Sequence, residues 1–112
     1  MKKTLLLTLL ASCALLSACA AHVTIRNDRK TAVKNVEVKA GAVRYVVPQI
    51  EAGASDTHEI KVAEETSVGV NFTSEEGGLY YTASKTKLKK GDSRKLLLKI
   101  TEQGNLETED PK

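Results

Sequence analysis

Residues 15–27 read LLSACAAHVTIRN. An apolar run stops at Cys19, and three residues later a different pattern begins, in which Val23 and Ile25 alternate with Thr24 and Arg26. A period of two is the mark of a strand with one face buried and the other wet. The stretch therefore divides the chain into an apolar leader and a β domain.

The same period continues downstream. Val36 and Val38 alternate with Asn35, Glu37 and Lys39, and Val43, Tyr45 and Val47 form a third run that Pro48 closes. His58, Ile60 and Val62 follow, then Val68, Val70 and Phe72. Leu79 and Tyr81 are read as inward, with Tyr80 outward, and Leu96, Leu98 and Ile100 complete the set. Turn signals separate the runs at Asn27-Asp28, Ala40-Gly41, Ala52-Gly53, Glu75 to Gly78 and Gly91-Asp92. About seven short strands at this spacing predict an all-β fold, a single small antiparallel β-sandwich over residues 22–103. A small β-barrel is the alternative. The sandwich resembles immunoglobulin-like, fibronectin type III or transthyretin-like modules in architecture alone, because the Cys…Trp…Cys signature of true immunoglobulin domains is absent. Residues 104–112 are acidic, lack alternation and read as a flexible tail.

A chain of 112 residues allows one such domain. It carries 17 Lys and Arg against 14 Asp and Glu, and without Lys2 and Lys3 that excess nearly vanishes. So balanced a charge disfavours nucleic acid as a partner. The two cysteines, Cys13 and Cys19, both precede the alternating region, so no disulfide staples the domain.

The leader has three zones: the positive Met1-Lys2-Lys3, an apolar segment Leu5–Leu16, and small residues Ser17 and Ala18 before Cys19. This is the layout of a secretory signal helix over residues 1–18. Thr8, Ser12 and Ser17 interrupt the run, which falls short of the roughly 20 apolar residues of a membrane span. Leu16-Ser17-Ala18-Cys19 resembles the lipobox of bacterial lipoproteins at every position. The resemblance covers the leader only. It implies that the Cys19 sulfur receives a diacylglycerol, that a peptidase cuts before Cys19, and that the new amine is acylated. Leu10-Ala11-Ser12-Cys13 also fits the pattern but leaves an apolar segment shorter than usual. Ala18-Cys19-Ala20 also fits ordinary signal peptidase, which would release a soluble periplasmic protein. Ala20, where an aspartate would signal inner-membrane retention, implies the outer membrane, on its periplasmic face in a Gram-negative cell. Residues 19–21 form a tether of at most about 10 Å, so the domain is expected to sit end-on against the headgroups.

The stretch KTKLKKGDSRK, Lys85 to Lys95, holds Lys85, Lys87, Lys89, Lys90, Arg94 and Lys95 with one acid, Asp92. It reads either as a basic ridge for an anionic lipid, glycan or acidic envelope protein, or as a solvated hairpin whose lysines block edge pairing. A metal site needs three or four converging ligands, and only His22, His58 and Asp56 can be named for one. No G-x-S-x-G or H-E-x-x-H is present, and Glu64-Glu65 and Glu75-Glu76 are neighbours that a strand would point to opposite faces. The expectation is a non-catalytic binding or structural lipoprotein of the envelope, without cofactor or metal. An inhibitor or immunity-type lipoprotein that blocks an enzyme or toxin is the alternative.

Overall fold

A computed structural model describes residues 20–109 of the chain. The signal helix expected over residues 1–18 and Cys19 lie outside the described residues. Eight strands follow one another: β1 (Ala21–Asn27), β2 (Val33–Ala40), β3 (Val43–Ile50), β4 (Ser55–Ile60), β5 (Thr66–Ser74), β6 (Leu79–Leu88), β7 (Lys95–Ile100) and β8 (Leu106–Glu109). They form two four-stranded sheets, ordered β4-β1-β7-β8 and β3-β2-β5-β6. The sandwich is therefore realised, and the closed barrel is not. Every pairing is antiparallel except β1 with β7, which run parallel. In constant-type immunoglobulin sandwiches the first two strands share a sheet. Here β1 and β2 lie in opposite sheets.

The alternating side chains meet between the sheets. Val23 and Ile25 of β1 and Leu96, Leu98 and Ile100 of β7 pack against Val36, Val38, Val68, Val70 and Phe72. Each fully buried side chain of this kind contributes about 1.5–3 kcal/mol. The interior strands β1, β7, β2 and β5 supply most of these buried side chains, as strands flanked on both edges should.

Four expectations are corrected. Of the expected tail, the described part is not frayed, because Leu106–Glu109 pairs with β7 as β8, and Lys99 bridges Glu109 at 3.1 Å. Leu106 is its one apolar residue and packs against the core, too weak a signal for periodicity to register. Pro48 does not close β3, which runs on to Ile50. β3 is an edge strand, where a missing N–H costs no ladder bond. The domain also begins earlier than His22: Ala21 already belongs to β1, and Ala20 is buried.

The fourth correction concerns β6. Tyr80 is the inward residue and stacks on Phe72 with ring centroids 4.8 Å apart. Leu79 and Tyr81 face outward, 67% and 74% exposed. Thr82, Ser84, Thr86 and Leu88 share the inward parity with Tyr80. The inward polar side chains are used: β6 bulges opposite Val68, and Ser84 Oγ accepts from the Val68 N–H at 2.9 Å while donating to the Thr86 carbonyl at 2.7 Å. A second bulge interrupts β2 against β5 between Lys34 and Glu37. Asn35 sits there at φ +50°, so that Val33 and Val36 both point inward despite their odd spacing.

Candidate functional site

The topology gathers four chain features at one end of the sandwich. β1 starts at Ala21, opposite Ile60 at the end of β4 and one residue before His22, which aligns with Lys95 at the start of β7. The β4–β5 and β6–β7 connections are tied together by Gly91 N–H donating to the Val62 carbonyl at 3.0 Å. The His22 N–H donates to the Arg94 carbonyl at 2.9 Å. The β2–β3 turn joins them, since Ala40, Gly41 and Ala42 line one small cleft with Lys61, Ala63 and Glu64. Lys61, Lys89, Lys90 and Lys95 are all exposed at this end, with Glu59, Glu64, Glu65 and the Arg94-paired Asp92 as the acids.

The opposite end is acidic. Its β1–β2, β3–β4, β5–β6 and β7–β8 connections expose Asp28, Glu51, Glu75, Glu76 and Glu102 against Lys30. Asn27, fully buried, holds that end together by donating to the Thr31 and Ile50 carbonyls at 2.9 and 3.0 Å and accepting from the Arg29 N–H. Arg29 lies over the Tyr80 and Phe72 rings, 5.1 and 5.9 Å from their centroids, and donates to the Glu102 carbonyl. The fold thus separates a basic end beside the start of β1 from an acidic end one strand length away.

The six basic residues of Lys85–Lys95 do not form one ridge. Lys89 and Lys90 are exposed in the β6–β7 turn, and Lys95 opens β7. Lys87 points outward from the last turn-proximal stretch of β6, on the same face as Tyr81 and Lys85. Lys85 instead lines the wide groove between the β6 and β8 edges, with Lys99, Glu107 and Glu109. Arg94 is structural: its guanidinium bonds Asp92 and the Lys87 carbonyl, the latter at 2.7 Å. Burial opposes ionisation of Asp92. Bonds from the Arg94 guanidinium and from the Lys89 and Arg94 N–H groups outweigh it and hold the carboxyl at about 2. The turn that presents Lys89 and Lys90 is therefore pinned by an ion pair whose carboxylate is shielded and whose guanidinium is partly exposed.

His58 and Asp56 come together as their spacing implied, Nδ1 to Oδ2 at 2.8 Å. His58 also stacks on Tyr45 of the facing sheet, with centroids 3.8 Å apart. Burial, aided by the Asp56 charge, pushes the Tyr45 hydroxyl well above its ordinary range. His22 does not join them. It has the outward parity of β1 and bonds Glu59 at 3.1 Å on the outer face of the sheet. Among the described residues no three His, Cys, Asp or Glu side chains converge as metal ligands. There, too, no helix is long and apolar enough to cross a membrane.

No family model matches the chain, and no curated protein matches it significantly. The fold has a solved counterpart in the NMR structure of a protein from Eubacterium rectale. The two superpose with a TM-score of 0.56 at 15% sequence identity, over 83% of this chain and 89% of that one. At that identity the likeness concerns the fold alone.

Proposed function

We propose that the chain is a lipoprotein of the bacterial envelope, anchored through acylated Cys19, whose β-sandwich serves as a non-catalytic binding or structural module. The observation that carries this reading is the burial of Ala20, the residue after the lipobox cysteine, at the basic end of the domain. Acyl chains on Cys19 contribute about 0.8 kcal/mol per buried methylene, so two or three of them hold firmly. With Ala20 already packed, almost no slack separates those chains from β1, and Lys61, Lys89, Lys90 and Lys95 are brought to the level of the headgroups. Each lysine near an anionic surface adds about 1 kcal/mol, less when salt screens it. The lipid chains supply attachment, and the lysines set orientation. Alanine at position 20 supports the outer membrane as the destination.

Labelling with a radioactive fatty acid tests the anchor. The wild-type protein takes up label and fractionates with membranes, whereas Cys19→Ala loses both. Label retained by Cys19→Ala, or wild-type protein recovered unlabelled from the periplasm, would overturn the reading.

A further inference from the structure

The anchoring reading leaves the outer face of the β3-β2-β5-β6 sheet unused, and that face is built unlike the rest of the surface. One register row crosses all four strands as Val46, Glu37, Asn71 and Tyr81. The next is Gln49, Lys34, Thr73 and Leu79. Between the two rows lies a shallow groove of about 180 Å³, lined by Asn35, Glu37, Asn71, Thr73, Leu79 and Tyr81 among others. Tyr81, Leu79 and Val46 are the three large apolar side chains the described surface leaves exposed, and two of them border this groove.

We propose that this groove binds an unbranched saccharide chain, with Tyr81 as its stacking platform. Sugar rings present an apolar C–H face and a rim of hydroxyls, and the groove matches both. Tyr81 and Leu79 offer bare apolar surface on one bank. The floor offers groups that donate and accept at fixed positions: the Asn71 amide, the Thr73 hydroxyl and the Glu37 carboxylate. Glu37 is held from two sides, by the Arg44 guanidinium and by Asn71 Nδ2 at 3.4 Å. That pairing pre-sets the acceptor and neutralises it, so the site favours neither a phosphate nor a cation. Asn35, at its positive φ in the bulge, is the one non-glycine residue of the described chain in the left-handed region. Bulges and such backbone positions re-aim side chains at binding sites. An apolar protein partner would need a larger contiguous apolar patch than two side chains flanking a polar floor. Strands lie about 4.8 Å apart, so Tyr81 to Glu37 spans roughly 10 Å, room for linked rings and not for a single small ion.

The test uses the full-length protein in detergent micelles, with purified peptidoglycan sacculi and chitotetraose as probes. The expected result is co-sedimentation with sacculi, and chitotetraose-induced NMR shifts centred on Tyr81, Asn71 and Thr73. Tyr81→Ala should weaken retention about tenfold, while Tyr81→Phe, which keeps the ring, should retain it. Lys89→Glu with Lys90→Glu, at the other surface, should leave it unchanged. Absence of binding to both probes, wild-type retention by Tyr81→Ala, or loss confined to the lysine variant would each overturn the proposal. Sacculus binding does not require acylation, so the same measurement on Cys19→Ala keeps this outcome separate from that of the anchor.

Discussion

The backbone N–H of His22 donates to the carbonyl of Arg94 at 2.9 Å. This one bond ties the second residue of β1 to the loop that presents Lys89 and Lys90. Whatever holds Cys19 therefore also holds that loop, within a few residues of chain. Arg94 in turn is fixed by Asp92, so the loop's position relative to the start of β1 is set by packing.

Orientation is the first consequence. In the acylated protein reconstituted in vesicles, a spin label at Lys90→Cys should be strongly affected by headgroup-bound relaxation agents, and one at Glu76→Cys at the acidic end should not. β1 has seven residues, which rise about 3.4 Å each, so the two ends lie more than 20 Å apart. Equal effects at both sites would show that the domain tumbles free of the surface.

Asp92→Asn should destabilise the domain in a pH-dependent way. The folded carboxyl titrates at about 2, below its ordinary value of 3.8. A depressed carboxylate contributes stability that is complete above the unfolded value and is lost as pH falls through the folded one. The variant should thus be less stable by about 2 kcal/mol at pH 7, and the gap from the wild type should close between about pH 4 and pH 2. Urea melts at several pH values measure it. A gap that stayed constant across that window would remove Asp92 from its role as the loop's ionic hub.

At the acidic end, Asn27→Ala would strip partners from the Thr31 and Ile50 carbonyls and the Arg29 N–H, all in or beside the core. Leaving buried backbone groups unpaired costs about 1–3 kcal/mol each, though relaxation and water recover part of it. A loss of about 3 kcal/mol in chemical denaturation is expected, which a domain of this size can barely sustain.

Gly104→Ala tests the seat of Tyr80. Gly104 has φ +87°, and a Cβ added there would lie 2.3 Å from the Tyr80 ring. The ring stacks on Phe72, with the Arg29 guanidinium beside both rings, so it cannot shift without losing those contacts. Strain and displacement together should cost about 2–4 kcal/mol, and Tyr80→Ala combined with Gly104→Ala should recover part of the clash but lose the stacking. Thermal melts of the two single variants and the double variant resolve the terms.

The sequence carried the sandwich because most of its strands alternate cleanly, Val23 and Ile25 or Leu96, Leu98 and Ile100 being the plainest. It misled at β6 because the two exposed residues there, Leu79 and Tyr81, are more apolar than the inward Thr82, Ser84 and Thr86. Leu88, inward at even parity against Lys85, Lys87 and Lys89, was the signal that could have set the register. The bulges at Asn35 and opposite Val68 are tertiary features, invisible to a period-two reading. So is the pairing of β8, whose single core residue is Leu106. The polarity of the two ends was not legible either, since it depends on the parallel alignment of β1 with β7. The groove beside Tyr81 was hidden by the same slip of register that placed Tyr80 on the outside.

Intact mass spectrometry of the native protein extracted from membranes probes the anchor most directly. A polypeptide that begins at Cys19 and exceeds its chain mass by a diacylglycerol and a fatty acyl group is the expected result. A polypeptide that starts at residue 20 or later, or that keeps the leader without any acyl increment, would contradict it.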